Sequence, residues 1–201
     1  MTVQEKALGR PRGFDADEAL ERAMLVFWEH GYEGASLSQL EAAMGITRTS
    51  MYAAFGNKEQ LFRKALERYD AGPAAYADRA MAEPTAREVA TLFLAGAVLA
   101  TTRPDWPAGC LGVQGALATG DAGRAAHDAL VRWRADGGAR LRDRFQRAVD
   151  EGDLPPDADA EQLARYLMTV SFGIAVQAAS GVSRSDLQEV ADVALRSWPS
   201  A

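Results

Sequence analysis

Apolar residues recur at every third or fourth position through successive segments of this chain, which is the spacing of an amphipathic helix. The first such segment begins at Asp15, where Glu18 completes a capping-box-like start, and it ends at Gly31. Its apolar face consists of Ala16, Ala19, Leu20, Ala23, Met24, Phe27 and Trp28. No segment alternates apolar and polar residues persuasively, so the sequence predicts an all-α fold.

Composition narrows the function classes. The chain has 201 residues, a formal net charge of −6, 48% hydrophobic residues and 25% charged residues, which is typical of a folded globular protein. A nucleic-acid site must therefore be a local basic patch. One cysteine and two histidines exclude an internal disulfide framework and leave few metal ligands, so no metal and no cofactor are expected. No apolar run reaches the roughly 18 residues of a membrane span, and a cytoplasmic location without membrane partners is expected.

Two short helices separated by a glycine turn follow the first helix. Ser36 with Gln39 caps one of them, and Gly45 makes the break. Thr47 caps the other, which is predicted over 48–55. These are the parts of a helix-turn-helix, whose second helix enters the major groove of DNA. The polar side chains expected to face outward on that helix are Arg48, Thr49, Ser50 and Tyr52.

A fourth helix is predicted to begin at Asn57, with Gln60 completing its capping box, and to stop at Gly72-Pro73. Lys58 lies in its first turn, where the helix dipole also favours an anion.

The basic N-terminal arm, residues 1–13, contains Arg10 and Arg12. It is either a disordered tail or an arm that enters the minor groove of DNA. The sequence predicts a helix-turn-helix domain over 1–70, including this flexible arm, and a second helical domain over 71–201.

The second domain is also predicted to be helical. Its helices are expected to open at Thr85 and at about Cys110, and to cover about 121–151, 159–179 and 183–198. Gly137 and Gly138 lie within the longest of them and each costs about 1 kcal/mol against alanine, which predicts a kink.

Three segments carry a family resemblance. Residues 27–36 read FWEHGYEGAS, residues 44–47 read MGIT and residues 52–61 read YAAFGNKEQL. With their spacing, they resemble the TetR family of transcriptional regulators over about residues 13–70. The resemblance implies a homodimer that binds a palindromic double-stranded DNA operator and a small-molecule effector. It implies a repressor, released by a small molecule or an electrophile, rather than an enzyme. The alternatives are an activator of the same fold, a helical enzyme, or a helical ligand-binding protein without DNA.

The resemblance also implies the DNA contacts. They are Ser36, Thr47, Arg48, Thr49, Ser50, Tyr52 and Lys58, with Arg10 and Arg12 in the arm. Arg48 would meet base edges, whereas Tyr52 and Lys58 would reach phosphates; the alternative for Tyr52 is packing in the core. Glu41 departs from the family, in which many members have alanine, and indicates a more exposed edge.

The resemblance implies that the second domain binds a small-molecule ligand and forms the dimer. The candidate ligand contacts are Phe93, Trp106, Cys110, Gln114, Trp133, Phe145, Tyr166, Met168, Phe172 and Gln177, most of which would otherwise pack the core. Cys110 is either a small buried apolar residue or a redox or electrophile sensor. The predicted dimer interface consists of Leu163, Leu167, Val170, Ile174, Leu187, Val190, Ala194 and Trp198; if these stripes pack within one chain, a monomer follows.

Overall fold

A computed structural model describes residues 13–117 and 119–199, and within these ranges the protein is helical without strands. The all-α prediction is therefore confirmed. The helices are α1 (Ala16–Gly34), α2 (Leu37–Met44), α3 (Arg48–Phe55), α4 (Lys58–Ala71), α5 (Tyr76–Met81), α6 (Ala86–Thr101), α7 (Leu111–Gln114), α8 (Arg124–Asp150), α9 (Ala160–Ala179) and α10 (Arg184–Arg196). A short 3-10 helix, Asp121–Gly123, precedes α8. Arg10 and Arg12 lie outside the described residues.

The caps predicted for the short helices are confirmed. At α2, the side chain of Gln39 accepts from the backbone N–H of Ser36 at 2.9 Å, and the Ser36 hydroxyl accepts from that of Gln39 at 3.2 Å. Asn57 and Gln60 form the same reciprocal pair at α4, with distances of 3.0 and 2.9 Å. Since each cap joins residues three positions apart, the sequence alone was sufficient to place these helix starts.

Helix α1 is interrupted at Gly31, where the sequence predicted its end. Gly31 has φ 69° and ψ 174°, a conformation that is essentially restricted to glycine. A further helical turn follows as far as Gly34. The interruption redirects the chain towards Gly115, whose carbonyl oxygen lies 3.1 Å from the position that a Cβ on Gly31 would occupy.

Helix α8 differs from the expectation, because it continues as one helix of 27 residues through Gly137 and Gly138 instead of breaking there. A Cβ at Gly137 would lie 3.5 Å from Cε of Met168, so the first glycine faces α9 and lines the contact between the two helices. Tertiary packing thus outweighs the low helix propensity of the pair. The sequence also missed α5, which has no side-chain cap.

Buried apolar residues form two clusters. The first joins the N-terminal bundle, α1–α4, to α7, the start of α8 and one residue of α9, and it includes Cys110, Leu111 and Leu130. The second joins α5, α6, the later part of α8, α9 and α10. The first cluster therefore extends across position 70, where the sequence divides the chain into two domains.

Candidate nucleic-acid interface and ligand cavity

Helix α3 is anchored on one side and open on the other. Met51 and Phe55 are buried at 0% and 5% exposure and fix the helix to the N-terminal bundle. Arg48 and Thr49 are exposed, and the Tyr52 side chain is exposed despite its size. The open side of α3 thus offers a guanidinium and two hydroxyls, groups that bind base edges and phosphates.

Side-chain hydroxyl groups cap the N-termini of both α2 and α3. The Thr47 Oγ1 accepts from the backbone N–H of Ser50 at 3.3 Å and lies 3.1 Å from the Ser50 hydroxyl. Ser36 is exposed at the start of α2. The structure therefore places Ser36 and Thr47 at helix N-termini, where the dipole favours phosphate.

Arg48 forms an ion pair that the sequence did not predict. Its Nη2 and Nε lie 2.9 and 3.3 Å from a single oxygen, Oε2 of Glu41. The Glu41 side chain is 24% exposed, against 48% for Arg48, so the carboxylate lies on the inner side of the pair. The expectation of a more exposed edge at Glu41 is wrong, because the turn at Gly45 brings the end of α2 against the start of α3.

Lys58 is half-buried at the start of α4, against α1. Its Nζ lies 4.6 Å from the centre of the Tyr32 ring, a cation–π contact. Burial lowers the pKa of Lys58 because desolvation disfavours the ammonium, and the nearby carboxylate of Glu33 acts in the opposite direction. Lys58, the predicted phosphate contact, is therefore positioned by Tyr32, which directly follows the interruption in α1 at Gly31.

A cavity of about 160 Å³ lies beneath the N-terminal bundle, among α4–α9. Of the predicted ligand contacts, those that line it are Phe93, Cys110, Trp133, Met168 and Phe172. Lining residues that sequence reasoning missed include Asp70, Tyr76, Thr101, Asp136, Arg140 and Ser171. No periodic pattern marks these residues, since they come from separate helices and meet only in the folded chain.

The other predicted ligand contacts do not line this cavity. Trp106 packs against Trp28 with ring centres 5.8 Å apart, and Phe145 packs against Trp198 at 5.3 Å. Gln114 donates to the carbonyl oxygen of Ala108 at 3.3 Å, the Tyr166 hydroxyl donates to that of Ala194 at 3.4 Å, and Gln177 is exposed. The aromatic or amide character of a residue therefore did not show whether it lines the cavity, packs in the core or lies on the surface.

Two hydrogen bonds order the polar side of the cavity. Trp133 donates from Nε1 to Asp70 Oδ1 at 2.9 Å. The Tyr69 hydroxyl donates to Sγ of Cys110 at 3.0 Å. Burial raises the pKa of the Cys110 thiol, since desolvation disfavours the thiolate, although the bond from Tyr69 acts in the opposite direction. The cavity is thus mainly apolar, with a thiol and carboxylates at its wall.

Most residues of the predicted dimer interface are buried in the core of their own chain. Five of its side chains are buried within their own chain and are excluded as a free surface: Leu167, Ile174, Leu187, Ala194 and Trp198. Leu163 and Val170 are half-buried, and Val190 is 49% exposed. Other large apolar side chains exposed on α9 and α10 are Tyr166, Val176 and Val193. A sustained apolar stripe did not distinguish the face that packs inside the chain from the outer face.

Four helices with a turn between α2 and α3, and an open polar face on α3, define a helix-turn-helix protein. The family of bacterial regulatory proteins named tetR matches residues 19–65, and the tetracyclin repressor-like C-terminal domain matches residues 89–193. The chain belongs to the TetR family of transcriptional regulators, which bind DNA and are not enzymes. Within the described residues, no helix is both long and apolar enough to span a membrane.

Relatives cover nearly the whole chain. The HTH-type transcriptional repressor ComR of Escherichia coli is 35% identical over 198 residues, which are 97% of this chain and 94% of ComR. The repressor AcnR of Corynebacterium glutamicum is 35% identical over 88% of each chain. A solved cysteine mutant of the TetR family regulator CifR, complexed with 26-bp double-strand operator DNA, is 45% identical, covers 94% of this chain and all of its own, and has a TM-score of 0.91.

Proposed function

We propose that this protein is a homodimeric repressor that binds a palindromic operator in the cytoplasm through one α3 helix from each subunit. The observation that carries the proposal is the two-sided α3, with Met51 and Phe55 buried and Arg48, Thr49 and Tyr52 facing outward. Ser36, Thr47 and Lys58 at neighbouring helix starts would fix the phosphates. The names of ComR and AcnR as repressors and the operator complex of CifR support the same conclusion.

Dimerisation is proposed to use the outer face of α9 and α10. Tyr166, Val176, Val190 and Val193 are apolar side chains on two neighbouring helices, and each is 41–54% exposed. A second copy would bury them in a symmetric interface. The two-fold axis would then place two α3 helices on successive major grooves, about one helical turn apart or a multiple of it.

The cavity is proposed to bind a small, mainly apolar effector. Cys110, at its wall, directly precedes α7, and Gly115 directly follows that helix. The carbonyl oxygen of Gly115 accepts from the backbone N–H of Tyr32 at 2.6 Å, and the Tyr32 ring contacts Lys58. A ligand that displaces α7 would therefore shift the end of α1 and Lys58. Such a ligand releases DNA only if it prefers the shifted dimer.

An electrophile is a second candidate effector, because Cys110 lines the cavity and its Sγ accepts a hydrogen bond from Tyr69. The test is operator release by a thiol-reactive compound, with adduct formation followed by intact mass. Wild type would be modified and released, whereas Cys110→Ser would keep its operator. If the compound releases Cys110→Ser from the operator to the same extent, the compound acts by reversible binding and not by modifying the thiol.

The experiment for the main proposal is selection of bound sites from a random duplex DNA library at moderate salt. An enriched palindrome would support DNA reading and two-fold geometry together. Arg48→Ala, with folding checked by circular dichroism, would lose the enrichment. If wild type refolded without ligand enriches no sequence, the proposed function is wrong.

A further inference from the structure

We propose that Glu41 is a positioning residue that turns one edge of the Arg48 guanidinium towards DNA and thereby sets a guanine preference at one position of each operator half. This inference rests on the proposed function, because it requires α3 to lie in the major groove. Glu41 itself contacts no base in this proposal.

The geometry of the ion pair defines the edge that remains free. Oε2 of Glu41 accepts from Nη2 at 2.9 Å and from Nε at 3.3 Å, so it occupies the side edge of the guanidinium. The remaining N–H groups, on Nη1 and the far side of Nη2, form the end edge. Two parallel N–H donors are what binds O6 and N7 of guanine in the major groove. The pair thus leaves free one edge whose two N–H donors can bind guanine.

The backbone of Glu41 is held at the turn between α2 and α3. The backbone carbonyl oxygen of Glu41 accepts from the N–H of Gly45 at 3.0 Å and from that of Ile46 at 3.3 Å. Gly45 has φ 67°, which closes the helix in the left-handed conformation. Glu41 is therefore anchored through its backbone, and its side chain is the less exposed member of the pair. The ion pair with this carboxylate restricts the rotamers of Arg48 before DNA arrives, which reduces the entropy lost on binding.

If Glu41 instead competes with DNA for Arg48, its removal changes DNA affinity in the opposite direction. A partly exposed ion pair contributes little to stability, so its loss should leave the fold intact. If Glu41 only competes with DNA, its removal frees Arg48 and also removes a repelling negative charge, and affinity rises. If Glu41 positions Arg48, its removal lowers both affinity and guanine preference despite the lost repulsion.

The test is site selection followed by binding titration on the wild-type operator and on a copy with that guanine replaced in both halves. The proteins are wild type, Glu41→Ala, Glu41→Gln, Arg48→Ala and the double variant Glu41→Ala/Arg48→Ala. Glu67→Ala is the charge-matched control, because Glu67 is an exposed carboxylate on α4. We expect Glu41→Ala to reduce the guanine preference about tenfold, Glu41→Gln to reduce it less, and Glu67→Ala to keep it.

The double variant shows whether Glu41 acts through Arg48. In the Arg48→Ala background, Glu41→Ala should leave base preference unchanged, because the group that it positions is gone. Tighter binding by Glu41→Ala with an unchanged preference would overturn the inference while leaving the proposed function intact. Wild type that selects no sequence would overturn the proposed function, and the inference with it.

Discussion

The backbone N–H of Tyr32 in α1 donates a 2.6 Å hydrogen bond to the carbonyl oxygen of Gly115, just after α7. A second bond lies alongside, where the N–H of Gly120 donates to Oε1 of Glu33 at 2.7 Å. Both bonds join the turn that follows Gly31 to the segment between α7 and α8. This junction connects the wall of the cavity to the part of α1 that contacts Lys58.

Gly31→Ala is predicted to destabilise the protein by about 1–3 kcal/mol, because it forces an L side chain into a conformation reserved for glycine. The added Cβ would also lie 3.1 Å from the Gly115 oxygen. Urea unfolding followed by circular dichroism measures the change. Gly34→Ala is the control, since its Cβ would lie 3.5 Å from His30 Cβ, an ordinary van der Waals distance. Equal stability of the two variants would contradict the importance of the backbone conformation at Gly31.

Lys58→Ala is predicted to weaken binding to all DNA sequences similarly and to reduce the slope of log K against log salt by about one, as loss of one phosphate contact requires. Titrations at several salt concentrations, on the operator and on unrelated DNA, provide the measurement. Arg147→Ala removes one exposed charge near the end of α8 and should leave the slope unchanged. An altered base preference in Lys58→Ala would show that the phosphate assignment is wrong.

Alkylation of Cys110 is predicted to require higher pH in the folded protein than in the unfolded chain. Iodoacetamide reacts with the thiolate, forming a sulfur–carbon bond as iodide leaves and the thiol proton passes to solvent. Since burial raises the pKa of the thiol, the thiolate fraction and the rate keep rising past the pH at which an exposed cysteine levels off. Mass spectrometry over pH, with and without urea, follows one site, because the chain has one cysteine. Coincident pH profiles would contradict the burial of the thiol.

Gly138→Ala is predicted to stabilise the protein by about 1 kcal/mol, since alanine is the better helix former. No atom of residues 13–117 or 119–199 lies within 4 Å of the position that its Cβ would take, its chain neighbours and the backbone of its own helix apart. Gly96→Ala on α6 is the contrasting variant, because its Cβ would lie 2.5 Å from Cδ2 of Tyr76 and should cost about 1–3 kcal/mol. Thermal unfolding of both variants, compared with wild type, measures the two changes in stability. Destabilisation by Gly138→Ala would indicate that α8 needs its glycine for a contact outside the single chain.

The sequence was informative where structure is decided over three or four residues. The caps at Ser36, Thr47 and Asn57 follow from side-chain and backbone chemistry within one turn. The turn at Gly45 was predicted from its glycine, whereas Gly31, predicted as the end of α1, interrupts the helix instead. The positions of Ser36, Thr47 and Arg48 at helix starts depend on these local features, whereas their contacts with DNA stay a prediction.

The rest depends on contacts between distant residues. The pairing of Glu41 with Arg48 needs the angle between α2 and α3, and the cavity needs six helices in place. Leu187 and Val190 share one helix and one residue class, yet Leu187 is buried and Val190 is exposed. Leu187, Ala191, Ala194 and Leu195 recur at the spacing of one helix face, and Val190 lies beside that face. Periodicity therefore separates the two faces, but it does not show which of them a second chain would cover.

The shared core of the N-terminal bundle and α7 limits how this regulator can be divided. Leu111 is fully buried in the cluster that also contains Met24 and Phe62. A chimera that joins residues 1–70 to another sensor would leave that cluster without its α7 side chains and expose apolar surface where they had packed. The unit suited to exchange between regulators therefore includes the bundle, α7 and the start of α8, a part of the fold that is discontinuous in the chain.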